Sequence, residues 1–524
     1  MVATLMDRIH RGVLPLAVAI VSGVLYFASF PPLEWTVLGF VAWVPLMIAI
    51  HAHRSRECAT QALGGLGLGV FFGMLAFSVD PPEVVTGAAW TGVSIAVGLV
   101  FGLVGGLVAV PMCTRRAHAM LGGCGFVWLP AVAWAGIEYL RLVTTMGHPW
   151  GMTATAHIDV APLRVFLPLA GMWPVTIIVI ATNGAVAALI LKACGLWRGS
   201  SGVLSWSVAA VAAMWVIGGV LALLPTSEPD TSLRVAAVQP GEHVPDHQVT
   251  RPLIMRRQYD VLTEAITLLH VPATEEASAQ GASLVVWPEA SGWVNPNSSA
   301  HQALTLQVSD LAIRTGTTIV WPYFIRIDAD HTRNEAVLIR SNGEISPPTT
   351  KDHPVWVIGE RSITADLHPV YQLGETVVGL ALGPDGTYTD TLARLARDGA
   401  QVVAVPTHDW RAYAGTQLAH LRVRAAEHRV AVVKADWRYG SAVIAPSGAI
   451  VVATADDERW PAMLVADVGL SEPGTPYTAA GDWLGLLCLL VTVGTAGGSA
   501  IATCRQTLQS RLASDGKELR QPHP

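Results

Sequence analysis

The chain has 524 residues, of which 52% are hydrophobic and only 14% are charged, whereas an ordinary soluble domain has about 25% charged residues. Its formal net charge is −6, and it has no basic stripe, which excludes nucleic acid as a ligand. The charges are unevenly distributed, since residues 232–470 hold 19 of the 33 Lys and Arg and 26 of the 39 Asp and Glu. That segment is predicted to be a water-soluble domain, and the remainder is predicted to lie in a membrane.

Eight apolar runs flank the charged segment, seven before it and one after it. Most approach the roughly 18–20 residues that a helix needs to cross about 30 Å of hydrocarbon. Leu38–Ile50 and Leu63–Phe77 are shorter and need flanking residues to span. We predict about eight membrane helices, in the runs Val13–Phe30, Leu38–Ile50, Leu63–Phe77, Thr91–Val110, Leu121–Leu140, Val165–Leu191, Val203–Leu224 and Leu484–Ala502.

Lysine and arginine residues predict the orientation of these helices. If the N-terminus is cytoplasmic, twelve basic residues lie in cytoplasmic segments and only Arg141 and Arg164 lie in the short outer loops, as the positive-inside rule requires. Arg8 and Arg11 precede the first run without a clear small-residue cleavage site, so this run is predicted to be a retained anchor. We expect a multi-pass protein of the cell (plasma or inner) membrane with both termini in the cytoplasm.

The predicted organisation has four parts. Residues 1–225 form a membrane domain with seven spans, 232–470 an extracytoplasmic domain, 483–503 the eighth span and 504–524 a cytoplasmic tail. All six cysteines lie in or near the predicted spans, so the outer domain is predicted to contain no disulfide. The sequence has neither zinc-type Cys/His spacing nor a phosphate-binding loop, and we expect no metal and no cofactor.

Short β-like runs alternate with amphipathic helical runs within residues 232–470, which predicts a layered α/β domain. The predicted helices are Pro252–Leu269, Gln302–Ile313, Asp390–Asp398 and Thr416–His428. The predicted strands are Leu233–Val238, Ser283–Trp287, Thr318–Pro322, Ala336–Arg340, Val377–Leu382, Val402–Pro406, Val430–Lys434, Ser441–Ala445 and Met463–Val468.

Glu289 is the first candidate catalytic residue. The segment Ser283–Ala290 (SLVVWPEA) leads an apolar strand directly into Pro288 and Glu289. A carboxylate at the end of a strand and beside a tryptophan is placed to have its pKa raised by desolvation and to act as a general base. An ordinary solvated acid is the alternative, and this segment alone favours the alternative.

Lys351 and Glu360 lie in a second segment, Thr349–Glu360 (TTKDHPVWVIGE). A lysine beside a reacting carbonyl stabilises the oxyanion that develops there. Taken alone, Lys351 is more typical of a solvated surface lysine. The two segments therefore acquire meaning only through their order in the chain.

That order resembles the nitrilase superfamily, and the flanking segments resemble its membrane-embedded branch, the apolipoprotein N-acyltransferases. The resemblance extends from about residue 15 to residue 500. It implies a multi-span α-helical membrane domain with an extracytoplasmic αββα sandwich of the nitrilase (carbon–nitrogen hydrolase) type. The matching segments include Phe30–Met47, Glu138–Arg141, His148–Trp150, Val235–Gln239, Arg422–Glu427, Ser441–Gly448 and Thr475–Trp483.

The resemblance also implies a reaction in lipoprotein biosynthesis. A glutamate activates a cysteine thiol, which takes an acyl chain from a phospholipid as a thioester, and the α-amine of a lipoprotein's lipidated N-terminal cysteine then accepts the chain. Carried over to this chain, Glu289 is the general base, Lys351 the oxyanion and charge partner, and Glu360 a supporting carboxylate.

The cysteine of the family has no counterpart here. It should follow the strand in Thr376–Asp385 (TVVGLALGPD), and an ungapped count back from Pro406–Asp409 places Gly383 at its position. Residues 232–470 contain no cysteine at all. The family's Asn-Asp-Ala-Trp-type loop is also replaced, by Thr407–Trp410 (THDW). The ordinary cysteine mechanism is therefore predicted to be absent.

Three interpretations stay open at this point. The favoured one is a non-catalytic relative that keeps the lipid and lipoprotein cleft, with an active paralogue or a polyprenol-phosphate mannose synthase as its partner. The second is an active N-acyltransferase with a substitute nucleophile, Thr387, Thr389 or Asp385, and with His408 as a further candidate base. The third, a membrane-tethered amidase, is the least favoured because the superfamily's amidases need the same cysteine.

Overall fold

The structure is a computed structural model that describes most of the chain. The described residues are 13–53, 57–79, 87–113, 124–144, 149–197, 199–224, 231–241, 269–294, 299–328, 331–355, 360, 362–454 and 462–497. The predicted helix Pro252–Leu269 lies, apart from its last residue, outside these described residues.

Apolar helices make up the N-terminal region, and one more follows the α/β domain. Each of the eight predicted runs contains a helix. Within the described part of the chain, five helices are long and apolar enough to cross a membrane, and four shorter apolar helices accompany them. The helices that correspond to the runs are Leu14–Phe27, Val44–His53, Glu57–Ser78, Gly87–Cys113, Gly125–Val143, Trp173–Ala193, Ser201–Leu223 and Trp483–Gly497.

One predicted run, Val165–Leu191, is divided rather than continuous. A short helix, Leu167–Ala170, ends at Gly171, whose φ of +70° turns the chain out of the helix. Glycine adopts this left-handed conformation without the steric cost that a side chain would add. The long helix then begins at Trp173, with Pro174 in its first turn, where the missing N–H costs nothing.

The helices Glu57–Ser78 and Gly87–Cys113 pack with their backbones close together. A Cβ built on Gly98 would lie 2.7 Å from the carbonyl oxygen of Gly69, and one built on Gly69 would lie 2.9 Å from the carbonyl oxygen of Gly98. Small residues permit this approach, which is common between membrane helices. A mainly apolar groove of about 740 Å³ is lined by both helices.

The α/β domain, predicted at residues 232–470, contains two sheets with thirteen strands in the described residues. The strands are β1 (Thr231–Gln239), β2 (Leu284–Val286), β3 (Trp293–Val294), β4 (Thr318–Arg326), β5 (Thr332–Ile339), β6 (Thr349–Thr350), β7 (Tyr371–Leu373), β8 (Thr376–Leu380), β9 (Val402–Thr407), β10 (Ala431–Asp436), β11 (Ala442–Ile444), β12 (Ile450–Ala453) and β13 (Ala462–Leu470). All nine predicted strands are present, and four short ones were missed.

Parallel strands occupy the centre of each sheet. The first sheet has the order β13-β1-β2-β4-β5-β6, with β3 beside β4, and the second has the order β12-β11-β10-β9-β8-β7. β1, β2 and β4 are parallel to one another, and so are β8, β9 and β10. The carboxyl ends of parallel strands share one edge of a sheet, where open α/β sheets bind their ligands.

The central strands of each sheet are buried on both faces, which produces four layers. Leu284 and Val286 of β2 point between the two sheets, while Val285 points outward to the covering helices, as the two-residue period of a strand requires. Each such buried side chain contributes about 1.5–3 kcal/mol. The covering helices are Val271–Ala279 and Ser299–Thr315 on the first sheet, and Thr389–Arg397 and Arg411–His428 on the second. The predicted αββα sandwich is confirmed.

The helix Arg411–His428 joins the α/β domain to the membrane domain. It packs against β10 and against the short helices Thr153–Ala156 and Leu167–Ala170. Nη1 of Arg422 on this helix donates to Oδ2 of Asp159 in the membrane domain at 3.0 Å, and this contact links the two domains. Arg424 and Glu427 on the same helix are fully buried, and their side chains form an ion pair at 2.7 Å, which gives each buried charge a partner.

Candidate active site

Glu289 lies where the two sheets meet. Its backbone N–H donates to the carbonyl oxygen of Thr407, at the end of β9, over 3.2 Å. Its carbonyl oxygen accepts a hydrogen bond from Nε1 of Trp437, just beyond β10, at 2.5 Å. The next residue, Ala290, has a φ of +62°, a conformation that few residues other than glycine adopt. These contacts fix the buried carboxylate at the carboxyl ends of the parallel strands.

Lys351, directly after β6, reaches the same point from the opposite side. Its Nζ lies 2.9 Å from Oε1 of Glu289 and 2.8 Å from Oε2 of Glu360. Nδ2 of Asn334 also donates to Oε1 of Glu289, at 2.5 Å. Glu289 and Lys351 are nearly inaccessible to solvent, with 6% and 3% of their surface exposed. The structure therefore brings together the three charged residues that the sequence predicts.

One lysine between two carboxylates leaves this group with a net charge of −1. Burial raises the pKa of Glu289; the positive charge of Lys351 lowers it and the negative charge of Glu360 raises it, with a net upward shift. Burial also opposes ionisation of Glu360, but Lys351 and the N–H of Val355 bring its pKa below the usual value. The pKa of Lys351 is raised by both carboxylates in spite of its burial. A buried glutamate with a raised pKa is suited to accept a proton near neutral pH.

Gly383 lies opposite the free oxygen of this glutamate. It follows β8 and begins the 3₁₀ turn Gly383–Thr387 with a φ of +52°. A Cβ built on Gly383 would lie 2.8 Å from Oε2 of Glu289 and 3.2 Å from Oε1. Nε2 of Gln417 donates to the carbonyl oxygen of Gly383 at 2.7 Å. The turn thus has a left-handed backbone at Gly383 that would aim a side chain at Glu289, as a nucleophile elbow does.

Two family models match the chain in this order. The apolipoprotein N-acyltransferase N-terminal domain matches residues 22–185, and carbon-nitrogen hydrolase matches residues 234–473. A protein named apolipoprotein N-acyltransferase from Mycolicibacterium smegmatis is 27% identical to this chain over 91% of this chain and 84% of its own length. The chain belongs to the apolipoprotein N-acyltransferase family. It is accordingly a membrane protein with a nitrilase-like domain, as the sequence motifs predict.

Other relatives match shorter parts of the chain. The apolipoprotein N-acyltransferase of Coxiella burnetii is 26% identical over 57% of this chain and 59% of its own length. That of Bordetella bronchiseptica is 29% identical over 36% of this chain and 35% of its own length. Among solved structures, an amidase of the nitrilase superfamily from Nesterenkonia AN1 is similar with a TM-score of 0.38 and 21% identity, over 50% of this chain and 95% of that chain.

The hydroxyls of the two threonines predicted as substitute nucleophiles form hydrogen bonds with groups other than Glu289. Oγ1 of Thr387 donates to the carbonyl oxygen of Pro384 at 2.7 Å. Oγ1 of Thr389 donates to the carboxylate of Asp482 at 2.7 Å. In the residues that the structure describes, neither hydroxyl forms a hydrogen bond with Glu289. The geometry gives Glu289 no direct route to either hydroxyl proton.

Asp385, the third substitute, has a structural position. Its carboxylate is fully buried and accepts the backbone N–H groups of Asp352 and His353 at 3.1 and 2.8 Å. Nδ1 of His353 lies 3.0 Å from the same carboxylate. These bonds tie the turn after Gly383 to the segment that carries Lys351. A carboxylate with this many partners holds the site together and is not free to attack.

His408 lies in the altered loop but at the surface. It is exposed, with its ring centroid 5.8 Å from that of Trp437. Its neighbour Asp409 is buried instead, with Oδ2 at 3.0 Å from Nζ of Lys434. The loop therefore points an acid, rather than the predicted histidine, into the domain.

Sequence reasoning missed four polar residues at this site: Asn334, Gln417, Asp409 and Lys434. Asn334 lies in the polar first half of β5 (TRNE), before the apolar AVLI, so its strand does not single it out. Lys434 and Asp436 do stand out, as charged residues within the buried strand β10. A charge in a fully buried strand requires a partner, and that rule would have directed attention to this end of β10.

Proposed function

We propose that this protein binds the family's two substrates, a phospholipid and the lipidated N-terminal cysteine of a lipoprotein, but does not carry the acyl chain as a thioester. One observation carries the proposal. A side chain at position 383 would point at Oε2 of Glu289, and the residue there is glycine. No cysteine elsewhere in residues 232–470 takes its place.

The proposed roles follow from the hydrogen bonds that Glu289 and Lys351 already make. Oε1 of Glu289 accepts hydrogen bonds from Lys351 and Asn334, so Oε2 is the atom left to take a proton on the side of Gly383. The ammonium of Lys351 has three N–H groups. Two of them donate to the carboxylates of Glu289 and Glu360. Its third N–H is available to a substrate carbonyl oxygen. Glu360 supports Lys351 by keeping it charged.

The described side chains around Glu289 provide no nucleophile for a covalent acyl transfer. The step needs an atom that attacks the ester carbonyl, gives its proton to Glu289 and later leaves. Thr387 and Thr389 donate their hydroxyl protons to other groups, and a hydroxyl is far less acidic than a thiol. The substitute-nucleophile alternative therefore has no supporting contact in the described residues.

The proposed orientation places the cleft at the outer surface of the membrane, with both termini in the cytoplasm. Nε1 of Trp410, in the site loop, donates to the carbonyl oxygen of Val79 at 2.8 Å, directly after the helix Glu57–Ser78. The apolar groove of about 740 Å³ lies along this same helix. We propose that a lipid acyl chain approaches the site from this groove.

The test is an acyl-transfer assay with a phospholipid donor and a lipopeptide acceptor. The purified protein, its Glu289→Ala variant and the Mycolicibacterium smegmatis relative are compared, and the chain mass is measured for an acyl adduct. We expect lipopeptide binding without an adduct, and transfer at least about a hundredfold slower than by the relative. Robust turnover that Glu289→Ala abolishes would overturn the proposal, as would a failure to bind the lipopeptide.

Topology and partners are tested separately. Reporter fusions at Arg198 and Asp246 should give cytoplasmic and exported signals respectively, and the reverse result would contradict the orientation. The proposed partners are an active paralogue or a polyprenol-phosphate mannose synthase. Co-purification from the native membrane tests both. If neither protein is recovered, the partner is removed from the proposal.

A further inference from the structure

A second buried lysine lies at the same edge of the domain. Nζ of Lys434, in β10, lies 3.0 Å from Oδ2 of Asp409 and 3.6 Å from Oδ2 of Asp436, and it donates to the carbonyl oxygen of Tyr439 at 3.1 Å. The lysine and Asp436 are fully buried. As at Lys351, one cation stands between two carboxylates, so the group carries a net charge of −1 when both carboxylates are ionised.

The two carboxylates of this group differ in their partners. Asp436 accepts the Thr407 hydroxyl at 2.6 Å and the Asp409 N–H at 2.8 Å, and its other oxygen accepts two more backbone N–H groups. Asp409 has only 5% of its side chain exposed, and Lys434 is its sole recorded side-chain partner within the described residues. Asp409 is therefore a buried carboxylate with unused hydrogen-bonding capacity.

Two amide oxygens at the site are also unused. Oε1 of Gln417 and Oδ1 of Asn334 are buried and have no hydrogen-bond partner in the part of the chain that the structure describes. The nitrogen of Gln417 is held by the carbonyl oxygen of Gly383, and the nitrogen of Asn334 is held by Glu289. Each amide oxygen therefore belongs to a side chain that is hydrogen-bonded to one of the two residues that define the site.

These acceptors belong to one place in the fold. Gly383 and Asp409 follow β8 and β9, which are adjacent and parallel, so both lie at the same sheet edge. Glu289 joins that edge through its bond to the carbonyl oxygen of Thr407. Unpaired buried acceptors are costly, and a site with two carboxylates for each buried lysine and with surplus acceptors is suited to a cation that donates several hydrogen bonds.

We infer that the cleft binds a primary ammonium group through the carboxylate of Asp409, with the amide oxygens of Gln417 and Asn334 as further acceptors. An ammonium offers three N–H donors. The inference rests on the proposed function, which supplies two sources of this group. One is the α-amine of the lipidated cysteine, and the other is the ethanolamine headgroup of a phospholipid.

The titration of Asp409 agrees with this inference. Burial raises its pKa to about 8 against the lowering effect of Lys434, and the negative charges of Asp436 and Glu289 add to the rise. Tyr413, on the helix that follows the loop, is a further titratable neighbour. A bound ammonium favours the ionised carboxylate, so we expect binding at neutral pH to release a proton from Asp409.

The experiment measures ligand binding to the full-length protein in detergent by calorimetry. The probes are a diacylglyceryl-cysteinyl peptide with a free α-amine, the same peptide N-acetylated, phosphatidylethanolamine, phosphatidylglycerol and butylammonium chloride. We expect the free amine to bind roughly ten- to a hundredfold more tightly than the acetylated peptide, the range for a charged hydrogen bond. Asp409→Asn should abolish this preference, and Asp398→Asn, the same change at an exposed aspartate outside the site, should keep it.

A preference for phosphatidylethanolamine over phosphatidylglycerol, with none among the peptides, would assign the ammonium to the lipid headgroup. The double variant Asp409→Asn, Lys434→Met removes both partners and guards against misfolding from an unpaired lysine; it too should lose the preference. Equal binding of every ammonium probe and its neutral counterpart would overturn the inference, as would a preference retained by the folded double variant. If neither peptide binds but butylammonium does, in a manner that depends on Asp409, the proposed function fails and the inference stands.

Discussion

Two buried lysines reach the site from opposite sheets, and their surroundings differ. Lys351 contacts two carboxylates at 2.9 and 2.8 Å, whereas Lys434 contacts one at 3.0 Å and a second at 3.6 Å. The carboxylates around Lys351 are further held by Asn334 and by a backbone N–H. The difference indicates that Glu289, Lys351 and Glu360 form a rigid charged frame, whereas the carboxylate of Asp409 has fewer contacts to hold it in place.

Replacing each lysine in turn should give the largest difference in the free energy of unfolding between the two charged groups. Lys351→Met leaves two buried carboxylates without their cation, and we expect it to lower the free energy of unfolding by about 3–5 kcal/mol. Lys434→Met should cost only about 1–3 kcal/mol, because Asp409 already has a raised pKa and protonates readily. Denaturant unfolding followed by tryptophan fluorescence measures both. Equal costs would show that the two groups are energetically equivalent and would end the comparison.

A pair of glycines tests how tightly the rigid frame faces position 383. Gly383 and Gly374 have similar φ angles, +52° and +59°, but a Cβ on Gly374 would meet nothing within 4 Å. Gly374→Ala should therefore cost about 1 kcal/mol from backbone strain alone. Gly383→Ala should cost roughly 2–4 kcal/mol, because the added Cβ also crowds Oε2 of Glu289. Equal melting temperatures for the two variants would mean that Glu289 moves aside at no cost.

The same reasoning applies to Gly383→Cys. The thiol would stand against Glu289, but Pro384 and the altered loop Thr407–Trp410 would still shape the pocket. We expect little transfer activity to return. Mass spectrometry of the variant after incubation with phospholipid detects any thioester, and turnover near that of the Mycolicibacterium smegmatis relative would show that the frame lacks only the thiol.

The threonines near the turn should have smaller effects. Thr387→Val and Thr389→Val each remove one hydrogen bond, so we expect a loss of about 1 kcal/mol from either change. Neither should alter acyl transfer if both hydroxyls serve only the fold. A selective loss of transfer in one variant, with its stability intact, would identify that threonine as a nucleophile.

The smallest expected effect concerns Asp352, next to Lys351. Burial opposes its ionisation, but the hydrogen bond and charge of His368, together with Arg394, hold its pKa at about 2. A carboxyl with a lowered folded pKa stabilises the fold above its usual pKa and loses that contribution as the pH falls through the folded value. The stability difference between wild type and Asp352→Asn should therefore shrink between pH 5 and pH 2. A difference that grows on acidification would contradict the assigned ion pairs.

Local patterns predicted much of this molecule. The eight apolar runs and nine strands are recognisable because each depends on a short stretch of chain, and Glu289 and Lys351 are recognisable because motifs surround them. Glycine at position 383 could be placed by counting from one strand to the next, since β8 and β9 are adjacent and parallel.

The remaining site residues could not be found in this way. Gln417 reaches Gly383 from a helix, and Asp409 meets Lys434 only because β9 and β10 pair in a particular register. Such contacts join residues that are distant in sequence and have no motif around them. The break at Gly171 was missed for a related reason, since hydropathy does not register a change of φ at one residue within an apolar run.

The pairing of β1 with β13 has a consequence for how such a protein can be built. Thr231 lies opposite Leu470 in an antiparallel register, so the nitrilase-like domain begins and ends at neighbouring points. A domain whose ends meet can be inserted into a connecting loop without spreading the segments on either side. The chain can therefore leave and rejoin the membrane domain through neighbouring points whether the connection is a few residues long or a whole sandwich. This geometry suits an origin in which an independent hydrolase-like unit was placed into a loop of a membrane protein.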